Sequence, residues 1–320
     1  MKIIASIYTA LCLGFLLATA SLAADSTSWR PLRILDVNAT DWDDSWAGLR
    51  GTSKGKKLFS NDSGAFMLLV EFDQGWDAVN KGRHFHDFHE WGFVLEGDFL
   101  IYEFVSPAQE KGALYTMRPG TWMSRLPFSI HGNRADAMEH QQVTPGSKQL
   151  VFVEGGKNYV LDPNHKWYRE DWKNITEFTH PRFQNTALPE VMEWEESVEL
   201  PGAKVKWLND DIDGGFRSQL VYVPAGWSRP DGPTKSYFEK AQRFSYVLFG
   251  DLKVLLADGP KDAGKHTTLH KDFFIDQPPM SIWGWDEGPL TEKGAMWLEV
   301  TYAEGVRWGN GPIEAIKFLP

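Results

Sequence analysis

Cysteine is almost missing from this 320-residue chain: the single one, Cys12, sits in the apolar run "IIASIYTALCLGFLLATA" that follows Lys2. That run, closed by the small residues of "SLAAD", has the form of a secretory signal peptide over residues 1–24, cut after Ala23 or Ala24. Its length is near the minimum for a membrane span, and the cleavage pattern directly after it speaks for removal rather than anchoring. The mature chain is then expected to be exported, periplasmic or secreted, and to carry no thiol. Disulfides, thiolate metal ligands and cysteine nucleophiles are thereby excluded. No other stretch is long and apolar enough to span a bilayer. Positive charge is in deficit too, with 33 Lys and Arg against 43 Asp and Glu and a formal net charge of -10. This balance argues against nucleic acid or an anionic membrane as partner.

Long helical periodicities are also scarce, the best helix candidate being "DPNHKWYREDW" at 162–172. Present instead are 15 Trp, 18 Pro and 29 Gly among short apolar runs such as "AFMLLVEF", "KQLVFVEG", "SQLVYVPAGW" and "AMWLEVTYAEG". Many short strands joined by tight turns follow from that pattern, so the expected class is all-β. The chain also repeats once, at an offset of about 150 residues. "FMLLVEFDQGW" (66–76) lines up with "RSQLVYVPAGW" (217–227), "WGFVLEGDF" (91–99) with "FSYVLFGDL" (244–252), and "PFSIHG" (127–132) with "PMSIWG" (279–284). Three matches in one order predict two copies of one β domain, over 25–185 and 186–320. The connection between them, roughly 164–195, is polar, with "HPRFQNTALPE" as the boundary.

Three of the nine histidines fall in "RHFHDFHEWGFVLEGDF" (83–99). On a strand, residues two apart share a face, so His84 and His86 aim into one cavity. Glu90 stays in phase if the strand continues, or reaches the same point from the next strand if 87–89 turn. His131, ending a later strand after the Pro119-Gly120 turn, offers a fourth donor. Three imidazoles and a carboxylate suit iron(II), manganese, nickel or zinc, and on a six-coordinate metal they leave positions for substrate or dioxygen.

These residues resemble the first motif of the cupin superfamily: His84, His86, Glu90 and Gly97 stand at its spacings, while Ala78 stands in place of its leading glycine. Pro119, Gly120, His131 and Asn133 match the second motif loosely. The layout looks closest to bicupins with ChrR-like cupin domains, over nearly the whole mature chain. The resemblance implies two tandem cupin (jelly-roll, double-stranded β-helix) barrels and one divalent metal per chain, iron(II) favoured, on His84, His86, His131 and Glu90. Glu90 is either the fourth ligand or a catalytic base. In the second copy the matching positions hold Tyr237, Glu239, Arg243 and Trp283, so that half is expected to be metal-free.

Tyr102, Trp122, Arg125 and His89 flank the expected cavity as candidate substrate-binding residues, with support of the ligands as the other role open to His89. The resemblance favours an oxygenase that cleaves a carbon–carbon bond in a small enolisable or aromatic carbonyl compound. A non-oxidative isomerase, lyase or decarboxylase, and a binding module without turnover, are the alternatives; a homodimer is a possible assembly. Other motifs fail on spacing. The zinc-protease signature needs a histidine where Phe93 stands, and the calcium-like "NDDIDGGFRSQL" (209–220) ends in Leu220 instead of glutamate.

Overall fold

The computed structural model describes residues 29–43, 53–72, 83–132, 144–161, 185–210, 216–237, 241–259, 261–285 and 287–303. The expected signal peptide, the helix candidate at 162–172, Ala78, Asn133, Glu239 and most of the connection between the halves lie outside these residues. Among the described residues there are four sheets, every pairing in them is antiparallel, and no helix is long and apolar enough to cross a membrane.

The first half forms a barrel from two sheets. The larger joins β2 (Ser53–Ser60), β3 (Phe66–Phe72), β5 (Glu90–Glu96), β8 (Trp122–Arg125), β10 (Ser147–Val153) and β12 (Asn185–Ala187), in the order β12-β8-β5-β10-β3-β2. Facing it are β4 (Arg83–His86), β6 (Phe99–Phe104), β7 (Ala113–Met117), β9 (Ile130–Gly132) and β11 (Asn158–Val160), ordered β11-β4-β9-β6-β7. In the second half the large sheet holds β1 (Arg33–Asp36), β13 (Glu195–Glu196), β14 (Lys204–Asn209), β15 (Phe216–Val223), β17 (Ala241–Gly250), β20 (Phe273–Gln277) and β22 (Ala295–Ala303). Its order is β1-β20-β17-β22-β15-β14-β13. The small sheet is β16 (Thr234–Tyr237), β21 (Ile282–Trp285), β18 (Leu252–Ala257) and β19 (Lys265–Leu269).

The two strand orders superimpose, and so do the special backbone positions. Positive φ occurs at Gly97 and Gly250 (69° and 74°), at Gly120 and Asp272 (91° and 66°), and at Phe128 and Met280 (68° and 65°). A Cβ on Gly250 would lie 1.9 Å from the Gly294 carbonyl oxygen, so the tight turn there requires glycine. The left-handed Phe128 recurs as Met280, which assigns that strained position to the fold and not to the chemistry of one half.

A feature not visible in the sequence comparison is the exchange of leading strands. β1, from the start of the chain, pairs with β20 of the second barrel, and β12, which follows the first barrel and contains the expected boundary at 185, pairs with β8 of the first. A tryptophan after each exchanged strand lies over a buried lysine. Lys56 Nζ is 4.7 Å from the Trp42 ring and donates to the Val37 carbonyl, while Lys206 Nζ is 4.7 Å from the Trp194 ring and donates to the Pro189 carbonyl. "DWDD" (41–44) and "EWEE" (193–196) are thus a further repeat, too short and polar to stand out in the sequence.

The main apolar cluster lies between the two large sheets. Met67, Leu69, Trp91, Phe152, Phe216, Phe244 and Tyr302 meet there, while Leu68, Val70, Phe99 and Met123 fill the first barrel. With both faces of β3 buried, "FMLLVEF" has no reason to alternate. Trp91 stacks on Trp122 and Phe152 and donates its indole N–H to the Tyr302 hydroxyl across the seam at 2.6 Å. Tyr302→Phe orphans that buried donor and is expected to cost about 1–3 kcal/mol, with the fold intact by circular dichroism. Urea unfolding with an unchanged midpoint would remove this bond from the account of the seam.

Candidate metal centre

Three residues, 87–89, turn the chain from one sheet of the first barrel to the other. His86 is the last residue of β4 and Glu90 the first of β5, so this corner sets the distance between them. His131 arrives on β9, which pairs His84 with His131 on one side and Glu103 with His131 on the other. Arg125, on β8, stands opposite Glu90.

His86, Glu90 and His131 present one ligand atom each, all within 4.8 Å of one another. Glu90 Oε2 is 3.3 Å from His86 Nε2 and 3.8 Å from His131 Nε2. The other ring nitrogens are committed: His86 Nδ1 is 2.9 Å from the Phe88 carbonyl oxygen and His131 Nδ1 is 3.1 Å from that of Ser129. A carbonyl only accepts, so each Nδ1 donates to it, and that bond fixes each ring with Nε2 turned toward Glu90. Two imidazole nitrogens and a carboxylate oxygen converging on one point form a donor set that a divalent metal fits without thiolates. His84 lines the same cavity outside this cluster, its ring 4.3 Å from that of His131 and 6.4 Å from that of His86.

The electrostatics favour the ligating forms. Burial by itself raises the Glu90 pKa, but the contact with His86 and the charge of Arg125, whose Nη1 donates to Oε2 at 2.9 Å, outweigh it and hold the carboxyl well below its usual range. Burial, then the charges of Arg125, His84 and His86, push His131 well below the ordinary histidine value, keeping it neutral. Arg125 also donates from Nε to Glu103 Oε1 at 3.2 Å. Burial raises the Glu103 carboxyl to about 7 against the opposing pull of Arg125.

A cavity of about 440 Å³ lies between the barrels, lined by Trp42, Lys56, Tyr246 and Lys271 among others, away from this cluster. The cluster itself opens into a cavity of about 430 Å³ inside the first barrel, walled by Phe66, Leu68, Val70, Phe72, Phe99 and Ile101. Arg125 lines it, and its Nη2 has no hydrogen-bond partner among the described residues. Three other candidates point elsewhere. Tyr102, one residue out of phase with Ile101 and Glu103, packs with Phe85, Phe104 and Ile130 on the outer face of the small sheet. Trp122 belongs to the seam between the barrels. His89 faces the seam as well, with its ring 4.5 Å from that of Phe216. Strand alternation accounts for all three, since the cavity takes only one face of β6, β8 and β5. Glu103 was missed; its signal was a carboxylate in the inward phase of "FLIYEF", after Phe99 and Ile101. Gln149, buried on β10, and Phe88, stacked on His86 at 4.3 Å, were missed too.

The second barrel has no such cluster among its described residues. Trp283 stands at the His131 position and pairs with Ser236, so the counterpart of His84 is Ser236, one residue before the expected Tyr237. Arg243 takes the place of Glu90: each pairs with the equivalent residue on both neighbouring strands. Its guanidinium bonds the buried Glu299 at 3.2 Å, where the first barrel has its carboxylate and imidazoles, and reaches the exposed Glu199 at 3.4 Å.

No protein-family model matches the chain, and no curated protein matches its sequence. Solved structures do match. A candidate dioxygenase of Nostoc punctiforme aligns with TM-score 0.57 at 16% identity, over 89% of this chain and 88% of that one. The oxalate decarboxylase of Lactobacillus farciminis, as its formate complex, aligns with TM-score 0.52 at 10% identity over 87% of both chains. The coconut allergen cocosin gives TM-score 0.54 at 8% identity, again over 87% of both. The fold is therefore that of two tandem cupin barrels, and identities this low carry the fold alone.

One metal equivalent per chain is expected from elemental analysis after loading. His86→Ala or His131→Ala should weaken binding by more than the ~10–100-fold that follows loss of an outer hydrogen-bond partner. Two equivalents, or full retention in both variants, would contradict a single site in the first barrel.

Proposed function

We propose that this chain is an exported, metal-dependent cupin enzyme acting on a small enolisable or aromatic carbonyl compound, and that it cleaves a carbon–carbon bond of that substrate with dioxygen. The observation that carries the reading is the 430 Å³ cavity, apolar and aromatic over most of its wall, with a cationic Arg125 beside a His-Glu-His cluster. That volume lies in the range of small-molecule sites and suits a body larger than a bare dicarboxylate. His86, Glu90 and His131 would hold the metal, with His84 as fourth donor. When bound, a divalent metal acts as a Lewis acid toward substrate oxygens, and iron(II) adds reactivity with dioxygen.

The chain's own residues do the rest. Arg125 fixes Glu90 and places positive charge at the cluster end of the cavity, favouring an enolate or carboxylate oxygen there, and the apolar wall orients the carbon skeleton and excludes water. Glu90, kept ionised, either completes the ligand set or takes the proton that enolisation releases. Substrates are small molecules in this reading, and a homodimer is compatible with it.

A non-oxidative decarboxylase is the second reading, and Glu103 favours it. Its carboxyl, buried, raised to about 7 and bonded to Arg125 at the cavity wall, changes the number of protons held at the cluster near neutrality, which suits a reaction that takes up a proton and no oxygen.

Purified protein loaded with iron(II) or manganese(II), offered a panel of diketones, aryl ketones and carboxylates in an oxygen electrode, separates the readings. Oxygen uptake coupled to product, and a loss of about 100-fold or more in Arg125→Met, is the expected result. Turnover without uptake moves the assignment to the second reading. Stoichiometric metal without turnover on any substrate would leave a binding module.

A further inference from the structure

We propose that His89, held by Glu154 and Ser124, is a positioning residue that fixes the spacing of His86 and Glu90 across the sheet corner; the inference rests on the metal reading above. The three side chains form a line buried in the seam. His89 Nε2 is 2.8 Å from Ser124 Oγ, and His89 Nδ1 is 3.5 Å from Glu154 Oε1. Glu154 also accepts the backbone N–H of His89 at 3.1 Å, and its own N–H donates to the His89 carbonyl at 3.2 Å. All three residues are at most 5% exposed.

Each member is the chain neighbour of a cavity residue: His89 of Glu90, Ser124 of Arg125, Glu154 of Gly155. Strand alternation turns one of each pair to the cavity and the other to the seam, so holding the seam residues fixes the cavity ones. On the other side of the corner, Asp87 accepts the Lys157 N–H at 2.7 Å and the Tyr159 hydroxyl at 2.8 Å. Residues 154–159 therefore clamp the corner at both ends.

An apolar seam would be served equally well by an apolar side chain. The seam cluster, which includes Trp91, Trp122, Phe152, Phe216 and Tyr302, is apolar and rich in aromatic rings, and buried carboxylate and imidazole groups are costly to desolvate. The second barrel separates what the fold needs from what this barrel adds. Gln242 and Asp276, at the positions of His89 and Ser124, share a hydrogen bond of 2.6 Å, while the position of Glu154 holds Tyr302. A bond between these strands thus recurs without a metal cluster, whereas the His89–Glu154 pair occurs only beside the ligands. Phe216 of the second barrel packs on His89, which gives that barrel a direct hold on the corner.

Cobalt(II) titration of the full chain, followed by visible absorption, tests this with His89→Ala, His89→Gln, Ser124→Ala and, as a stability control, Tyr302→Phe. His89→Ala should weaken cobalt binding by roughly 10–100-fold and shift the ligand-field bands. His89→Gln, able to keep the bond to Ser124, should recover part of the loss, and Ser124→Ala should show a smaller change in the same direction. A folded His89→Ala with unchanged affinity and spectrum overturns the proposal, as does an equal loss in Tyr302→Phe. Should His89→Ala fail to fold, Ser124→Ala decides, and unaltered bands in it overturn the proposal. Absence of cobalt uptake by the wild-type chain would instead sink the metal reading, and this proposal with it.

Discussion

Two large sheets, each apolar on both faces, bury one face against each other and close the other over a barrel interior. Trp91, Phe152, Phe216, Phe244 and Tyr302 lie in this seam, and full burial of each such side chain contributes about 1.5–3 kcal/mol. Because the same strands carry seam residues on one side and cavity residues on the other, packing between the barrels and geometry inside them are not independent. Displacing β5 or β8 at the seam would move Glu90 or Arg125 by the same amount. The exchanged strands β1 and β12 add to this coupling, since each barrel's large sheet takes one edge strand from the chain segment that leads into the other barrel.

Inside the first barrel that rigidity is applied to charge. A carboxylate, two imidazoles and a guanidinium share one end of a cavity inside the barrel, and the carbonyls of Phe88 and Ser129 hold the rings with Nε2 facing Glu90. In the second barrel, Arg243 bound to Glu199 and Glu299 settles the same problem internally, by filling the position of the carboxylate with its counter-charge. One framework thus accommodates both an open cluster of metal-type donors and a closed ion pair, which is why the fold alone does not assign an activity.

Much of this was legible in the chain itself. The repeat of the Gly97 and Gly250 turns, and of "PFSIHG" as "PMSIWG", is written in the sequence, and Gly97 with Gly250 and Phe128 with Met280 adopt the same left-handed backbone in both halves. His86, Glu90 and His131 were legible because the period of a strand and the length of a corner leave few ways to bring them together. Tyr102, Trp122 and His89 were misplaced for a single reason. Sequence proximity to a ligand does not reveal which face of a strand meets the cavity, and in strands buried on both sides hydrophobicity gives no phase.

The local signals therefore determined what short-range physics controls: strands, tight turns, two copies of one domain, and donors of one chemical type in one of them. Only the tertiary structure decided which strands each barrel borrows, that Arg125 and Glu103 join the cluster from separate strands, and that His89 faces Phe216 instead of the cavity. Those features depend on contacts between residues far apart in the chain, where the choice of partner is made by burial of whole faces and not by any local preference of the residues involved.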